Sequence, residues 1–246
     1  MFCGEYCRKT ATNLYHEMEC KILPSLLSLG RQEIEFLAVR IFLQASEQGR
    51  NFDKLMGHPF YKNPFSKGDS NEMNWSTMYK TNNYFFIHNL ADNFEKLPMS
   101  EKLERSFMAV LLLSLLKQND FFSHNTTDND SSAQLTSTEN YAGALMLKHL
   151  LAADMNAHWI GESETSVPST GCNQHLGSTI YPFLSYLNHS CDYNAQKMNY
   201  GTDLALYAVQ PILAGEQVQI MMFKPTYIDI HFFFLMRSKV LHAMKV

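Results

Sequence analysis

Charge is scarce in this chain, and nowhere does an apolar run last long. Of 246 residues only 18% are charged, and the net charge is −4 at pH 7. No overall basic field draws it to nucleic acid, so no direct nucleic-acid binding is expected. The longest apolar run, Phe107 to Leu116, is about half of a membrane-spanning helix and is bounded by Arg105 and Lys117. No membrane association is expected from it. The opening Met-Phe-Cys-Gly-Glu-Tyr-Cys has neither a basic n-region nor an apolar h-region, which argues against secretory export. Five cysteines are present, three of them in the first twenty residues, and none follows Cys191. Clustered cysteines without a signal point to metal ligation rather than disulfides.

What the chain has instead is apolar mass in patterned pieces, 46% of its residues, enough for a sizeable core and at most two domains. Residues 24 to 49 carry a helical stripe, broken at Gly30 and ended at Gly49, with Arg40 as a satisfied charge at the core edge. Residues 50 to 75 read as irregular. A helix pair follows near 76–95 and 99–118, with Pro98 and Ser100 at the junction. Phe107, Val110, Leu111, Ser114 and Leu115 are expected to face the core. Residues 123 to 140 read as a solvated loop, Tyr141 to Met155 as an apolar helix, and 161 to 178 as a loop in which Cys172 and His175 are incidental. Leu204–Val209 and Gln217–Phe223 are strand candidates, the first entered from a Tyr200-Gly201-Thr202-Asp203 turn. The fold class is α+β, a helical half followed by a small sheet.

Polar chemistry concentrates after Tyr181-Pro182-Phe183-Leu184-Ser185-Tyr186-Leu187, in Asn188-His189-Ser190-Cys191, with Asn194 three residues on. An apolar run entering a compact polar tetrad reads as a site placed on a core element. Two plainer readings compete. Asn188-His189-Ser190 is formally a glycosylation sequon, which needs a secreted surface loop. A His-Ser-Cys nucleophile needs a base that the sequence does not identify. At the other end, Cys3-x3-Cys7-x8-His16-x3-Cys20 could supply four tetrahedral ligands to one Zn²⁺; free thiols and an exposed histidine are the alternative.

The central segment resembles the N-H-S-C-x-P-N core of SET domains, with Tyr193 where the family usually has Pro. Its Tyr-Pro lead-in is similar to the SET- and MYND-domain (SMYD) lysine methyltransferases. The resemblance implies a SET small-sheet core with a pseudoknot, preceded by a helical region and a partial MYND zinc finger. It implies S-adenosylmethionine held by Asn156, Tyr181, Asn188 and His189. Asn156 belongs to an Asn156-Ala157-His158 segment resembling the family's, and a helix C-cap is as good a reading of it. In the MYND pattern Cys3 and Cys7 belong to one zinc and His16 and Cys20 to another, leaving each site half-built. The Gly215-Glu216 turn resembles Gly-Glu-Glu-(Ile/Leu)-x-x-x-Tyr, whose terminal catalytic Tyr falls on Met222 here. A thioether cannot donate the hydrogen bond of a phenol. The post-SET cysteines are missing; Phe233 is an aromatic available to wall a lysine channel, although plain core packing is the stronger reading of it.

By this resemblance residues 1–20 form the partial finger and 21–155 the helical insertion, with a mobile loop near 123–140. Residues 156–224 form the SET core and 225–246 a degenerate post-SET tail. The first SET strands are absent, which makes the chain an N-terminally truncated, divergent member of an insect-type SMYD branch. The implied function is weak protein-lysine N-methylation of a histone or non-histone substrate, in cytoplasm and nucleus, with S-adenosylmethionine and zinc as cofactors. The alternative is an inactive pseudoenzyme that scaffolds transcriptional co-repression, with histone deacetylase or other co-repressors as partners.

Overall fold

The computed structural model of the chain describes residues 3–30, 33–65, 84–122, 135–162, 174–200 and 203–222. The chain forms two compact units. One takes residues 1–159 with 177–182, and the other residues 160–176 with 183–246.

The first unit is helical. Helix α1 (Glu5–Ala11) runs through a π turn (Thr12–His16) directly into α2 (Glu17–Ser28). A π turn shifts the hydrogen-bond ladder by one residue and leaves backbone groups short of partners. The buried side chain of Gln48 supplies them. Its Nε2 donates to the carbonyls of Thr12 (2.9 Å) and Asn13 (3.0 Å), and its Oε1 accepts from the Met18 amide (3.0 Å). Gly30, at φ +74°, closes α2. After α3 (Glu33–Ala45) the chain reverses through Glu47, Gln48 and Gly49, all at positive φ, into α4 (Phe52–Gly57).

Helices α5 (Tyr84–His88), α6 (Met99–Gln118) and α7 (Ser137–Asn156) complete this unit. Pro98 is the N-cap residue of α6, as the sequence suggests. Helix α7 opens on a capping box: the Thr136 hydroxyl accepts from the Glu139 amide, and the Glu139 carboxylate accepts from the Thr136 amide. That start lies inside the stretch expected to be loop, because a Ser/Thr-rich run is also what caps a helix. Residues 123–134 lie outside the described residues. The region expected to be irregular likewise holds α4, whose Phe52 is fully buried.

The core is a cluster of rings from distant positions. Phe42 and Phe121 centroids are 5.4 Å apart, and Phe52 meets Tyr141 edge-on at 5.5 Å. Gly49 is required against this cluster: at φ +87°, a Cβ there would lie 2.8 Å from the Phe121 carbonyl oxygen. Around the cluster pack Ile22, Leu26, Val39, Leu43, Leu112, Leu116 and Leu145. The expected core face of α6 is therefore corrected. Ala109, Leu112, Leu113 and Leu116 are buried, whereas Phe107 is 71% exposed and Val110 59%. Each residue advances about 100° around a helix, and the apolar run Phe107–Leu116 is too continuous to fix the phase.

Polar groups enter this core in paired form. Glu19 is 2% exposed, accepts from Arg40 Nε and Nη2 at 3.0 and 2.8 Å, and faces His16 Nδ1 at 3.1 Å. Arg40 also lies 4.3 Å over the Tyr15 ring, so its reading as a satisfied core-edge charge holds. Deeper in, the Tyr84 hydroxyl lies 2.7 Å from His149 Nε2 and 3.2 Å from His88 Nδ1. Burial holds the His149 imidazole well below its usual range, with His88 and Lys148 adding repulsion, and pushes the Tyr84 phenol up.

The second unit is built on a mixed four-stranded sheet. Strands β1 (His158–Glu162) and β2 (Gln174–Thr179) pair as a separate ribbon, where a loop was expected. Cys172 lies outside the described residues. A short helix α8 (Pro182–Ser185) leads to β3 (Asn188–His189), β4 (Ala195–Tyr200), β5 (Asp203–Ala208) and β6 (Gln219–Ile220). The sheet order is β3-β6-β4-β5. Strands β4 and β5 form an antiparallel hairpin closed by the Tyr200–Asp203 pair, where the turn was expected, while β6 runs parallel to both β3 and β4.

Candidate cofactor and lysine site

Leu184 anchors α8 at 1% exposure, yet the tetrad that follows is not buried: Asn188, His189 and Cys191 are exposed. The sequence suggested a buried polar site. The short helix spends the apolar side chains one turn earlier, and the tetrad emerges at the edge strand β3.

Three contacts fasten this edge to the chain after Gly215. Strand register puts Asn188 beside Gln219 and His189 beside Ile220. The Ser190 amide donates to the Ile220 carbonyl at 3.0 Å. Asn194, 7% exposed, then clamps the same segment from the other side: Nδ2 donates to the Gln217 carbonyl (2.9 Å) and Oδ1 accepts from the Gln219 amide (2.8 Å). The segment leaves a tight turn in which Gly215 sits at φ +85° and the Glu216 carboxylate accepts from the Leu213 amide at 2.8 Å. Gln217–Phe223 was expected to be a full strand; among the described residues only Gln219–Ile220 ladders, because side chains take over the pairing around it, and Phe223 lies outside the described residues.

The Met222 amide donates to His189 Nδ1 at 3.0 Å. A nitrogen that accepts cannot carry the proton of a neutral imidazole, so that proton sits on Nε2. Nε2 lies 3.5 Å from Cys191 Sγ, and His189 therefore donates toward the sulfur. As oriented it is no base for Cys191, which removes the nucleophile reading. Met222 itself is 37% exposed. Burial lowers the pKa of the Lys197 ammonium and raises that of the Tyr186 phenol.

Asn156 and Tyr181 belong to the other unit. Asn156 ends α7, and its Nδ2 donates to the carbonyls of Ala91 and Ala152, both at 2.8 Å. It ties off the helix end. The Tyr181 ring lies 6.3 Å from that of His158. Asn188 has an exposed carboxamide on strand β3, which fits a polar cofactor group; the His189 ring has both nitrogens engaged and can serve only through its main chain.

The four zinc candidates do not fit one tetrahedral ion. Cys3 and Cys7 are adjacent, their sulfurs 3.0 Å apart. Cys7 and Cys20 lie on one unbroken helical stretch, about 20 Å apart at 1.5 Å per residue. His16 meanwhile turns Nδ1 to Glu19. Among the described residues no group of three or more His, Cys, Asp or Glu side chains could hold a metal. The His16-x2-Glu19 spacing was the overlooked signal, since side chains three apart meet on a helix. Asn194 was visible as the last residue of the motif, but nothing near it in the sequence pointed to Gln217 and Gln219 as its partners.

The SET domain model matches residues 4–221 of this chain. The protein-lysine N-methyltransferase SMYD4 of Danio rerio is 28% identical over 78% of this chain and 28% of its own length. Its counterpart in Mus musculus is 26% identical over 88% of this chain and 31% of its own. The histone-lysine N-methyltransferase SMYD3 of Mus musculus is 46% identical, over 21% of this chain. The chain thus spans about three-tenths of the length of the SMYD4 proteins it matches. On the extent of the domain match, with the small mixed sheet and the pinned Asn-His-Ser-Cys edge, this chain belongs to the SET domain family.

Proposed function

We propose that this chain carries a protein-lysine N-methyltransferase site of the SMYD type, using S-adenosylmethionine and acting on a histone or another protein in cytoplasm and nucleus. As it stands, its turnover is low. The observation that supports this most is the hydrogen bond from the Met222 amide to His189, which sets the residue in the family's tyrosine position against the Asn-His-Ser-Cys segment. When bound, the cofactor supplies an electrophilic methyl group. The exposed carboxamide of Asn188 offers it a donor and an acceptor, and β3 offers main-chain groups. His189 positions Met222 rather than taking a proton. The Met222 thioether can wall the lysine channel but cannot orient the amine by hydrogen bonding, and the rate suffers accordingly. A part for Asn156 and Tyr181 in holding cofactor rests on the resemblance alone.

The test is Met222→Tyr beside the parent, both at saturating S-adenosylmethionine, with calorimetric titration for binding and radiolabel transfer to protein substrates for turnover. Restoring one preorganised hydroxyl should raise transfer roughly 10²–10³-fold. Asn188→Ala should weaken cofactor binding by about 1–3 kcal/mol. No cofactor binding by the parent, or an Asn188→Ala variant that binds as tightly, overturns the assignment. Binding without transfer in either protein favours a second reading, for which Met222 itself speaks: a catalytically silent scaffold in co-repression, with partners such as a histone deacetylase.

A further inference from the structure

We propose that residues 84–91 are an acid-released strap, latched onto α7 by the contact between Tyr84 and His149. The strap is pinned at both ends. The Tyr84 hydroxyl lies 2.7 Å from His149 Nε2, and seven residues on, the Ala91 carbonyl accepts from Asn156 Nδ2 at 2.8 Å. His149 and Asn156 are also seven residues apart, two turns of α7. Both pins therefore sit on one face of that helix, and the strap follows it in the same direction. Between the pins, Phe86, His88 and Leu90 are at most 2% exposed. Helix α5 has only five residues, too few to hold itself in water, so its order comes from what it packs against.

The latch suits neutral rings only. One hydroxyl stands between His149 Nε2 and His88 Nδ1, and it can donate to one ring while accepting from the other. His149 Nδ1 is buried with no hydrogen-bond partner among the described residues. An imidazolium carries a proton on both nitrogens, so charging His149 leaves Nδ1–H without an acceptor in the core. The groups that face the ring add to the cost. Lys148 on its own helix and His88 on α5 repel the charge, and α3 offers only the Phe42 ring, edge-on at 6.1 Å. Burial raises the phenols of Tyr61 and Tyr141, which act on Tyr84, so neither supplies a charge. His149 is thus a base whose pKa is lowered while the strap is closed. The closed form has its full stability above the free value of about 6.5 and loses it as pH falls below that value. Opening hands the ring to water, where it takes up its proton. It also breaks the Ala91 bond of Asn156, the residue that the family resemblance gives to the cofactor, although the device itself needs no cofactor.

The experiment follows amide hydrogen exchange of the full chain at pH 7.5 and 5.5, expressed as protection factors so that the intrinsic pH dependence of exchange cancels. The Asn89 and Leu90 amides, which donate to the Phe85 and Ile87 carbonyls, report the strap, and those of Leu112 and Leu116 in α6 report the rest of the unit. From pH 7.5 to 5.5, protection at Asn89 and Leu90 should fall about tenfold more than in α6, the factor set by one proton taken up below about pH 6.5. In His149→Phe that extra fall should disappear. Tyr84→Phe, which removes the latch hydroxyl, should lower strap protection already at pH 7.5. The proposal is overturned if strap and α6 lose protection together or not at all, if the extra fall survives in His149→Phe, or if Tyr84→Phe leaves the strap as protected as in the parent. Should His149→Phe fail to fold, His149→Gln, uncharged at both pH values, takes its place with the same expected loss of the extra fall.

Discussion

Asn194 is the place where the second unit can be tested with one atom. Its carboxamide donates to the Gln217 carbonyl and accepts from the Gln219 amide, with only 7% of the residue exposed. Asn194→Ala removes both partners. Each hydrogen bond contributes about 1 kcal/mol, and each polar group left without a partner costs about 1–3 kcal/mol. Gln217 is exposed and water can reach its carbonyl, so the lower range applies, and about 2 kcal/mol is expected. Asn194→Asp is the sharper change. It keeps the acceptor for Gln219 but sets a carboxylate oxygen against the Gln217 carbonyl at 2.9 Å. Burial and that carbonyl raise the carboxyl's folded pKa above its unfolded value of about 3.9. For an acid raised in the fold, stability is fully present below the unfolded pKa and is lost as pH rises through the folded one. The deficit of Asn194→Asp relative to the parent should therefore be small near pH 4 and grow toward pH 7. Urea unfolding at both pH values gives the deficit, and hydrogen exchange at Gln219 reports the local contact. Equal deficits at both pH values, or unchanged exchange at Gln219 in Asn194→Ala, would refute the clamp.

Other outcomes follow from the helical unit. Gln48→Leu keeps the volume but strands the Thr12 and Asn13 carbonyls and the Met18 amide, and should cost about 2–3 kcal/mol, read as a fall in Tm. Gly49→Ala should cost more than Gly30→Ala, by about 1–3 kcal/mol; both glycines have positive φ, but only at Gly49 would a Cβ meet the Phe121 carbonyl, so equal losses in thermal unfolding would show that close approach to be harmless. His149 faces Tyr84, His88 and Lys148 and is held neutral in the fold, so acid favours the unfolded chain, which takes up its proton below about pH 6.5. The unfolding free energy from urea titration should fall from pH 7 to 5.5 more steeply in the parent than in His149→Phe, by up to about 1.4 kcal/mol per pH unit.

Features set by near neighbours were legible in the sequence. Pro98 and the apolar period placed α6, Gly30 and Gly49 marked real breaks, and the Tyr200–Asp203 turn closes the hairpin it suggested. What depended on distant partners was not. Gln48 reaches back 36 residues to Thr12 from an ordinary neighbourhood, and Asn194, though visible in the motif, reaches forward 25 to a partner that nothing local announces. The face of α6 was misread because leucines occupy every direction around that helix. His16 looked like a ligand because cysteines flank it, while its partner was Glu19, three residues on. In the candidate site, the Asn-His-Ser-Cys segment was visible, but its exposure and the His189–Met222 bond that orients it were not.

The order in which the second sheet assembles follows from its pairing. Strands β4 and β5 meet across a two-residue connection, whereas Asn188 and Gln219 are 31 residues apart and recover only a two-residue ladder. Loop entropy grows with the logarithm of length, so that closure costs about 2 kcal/mol more than the hairpin's, with fewer bonds to offset it. The hairpin is thus expected to form first, and the Asn-His-Ser-Cys edge to join the Met222 segment after it. A ligand held at that seam stabilises contacts absent from the folding transition state. It will slow unfolding while leaving the folding rate nearly untouched.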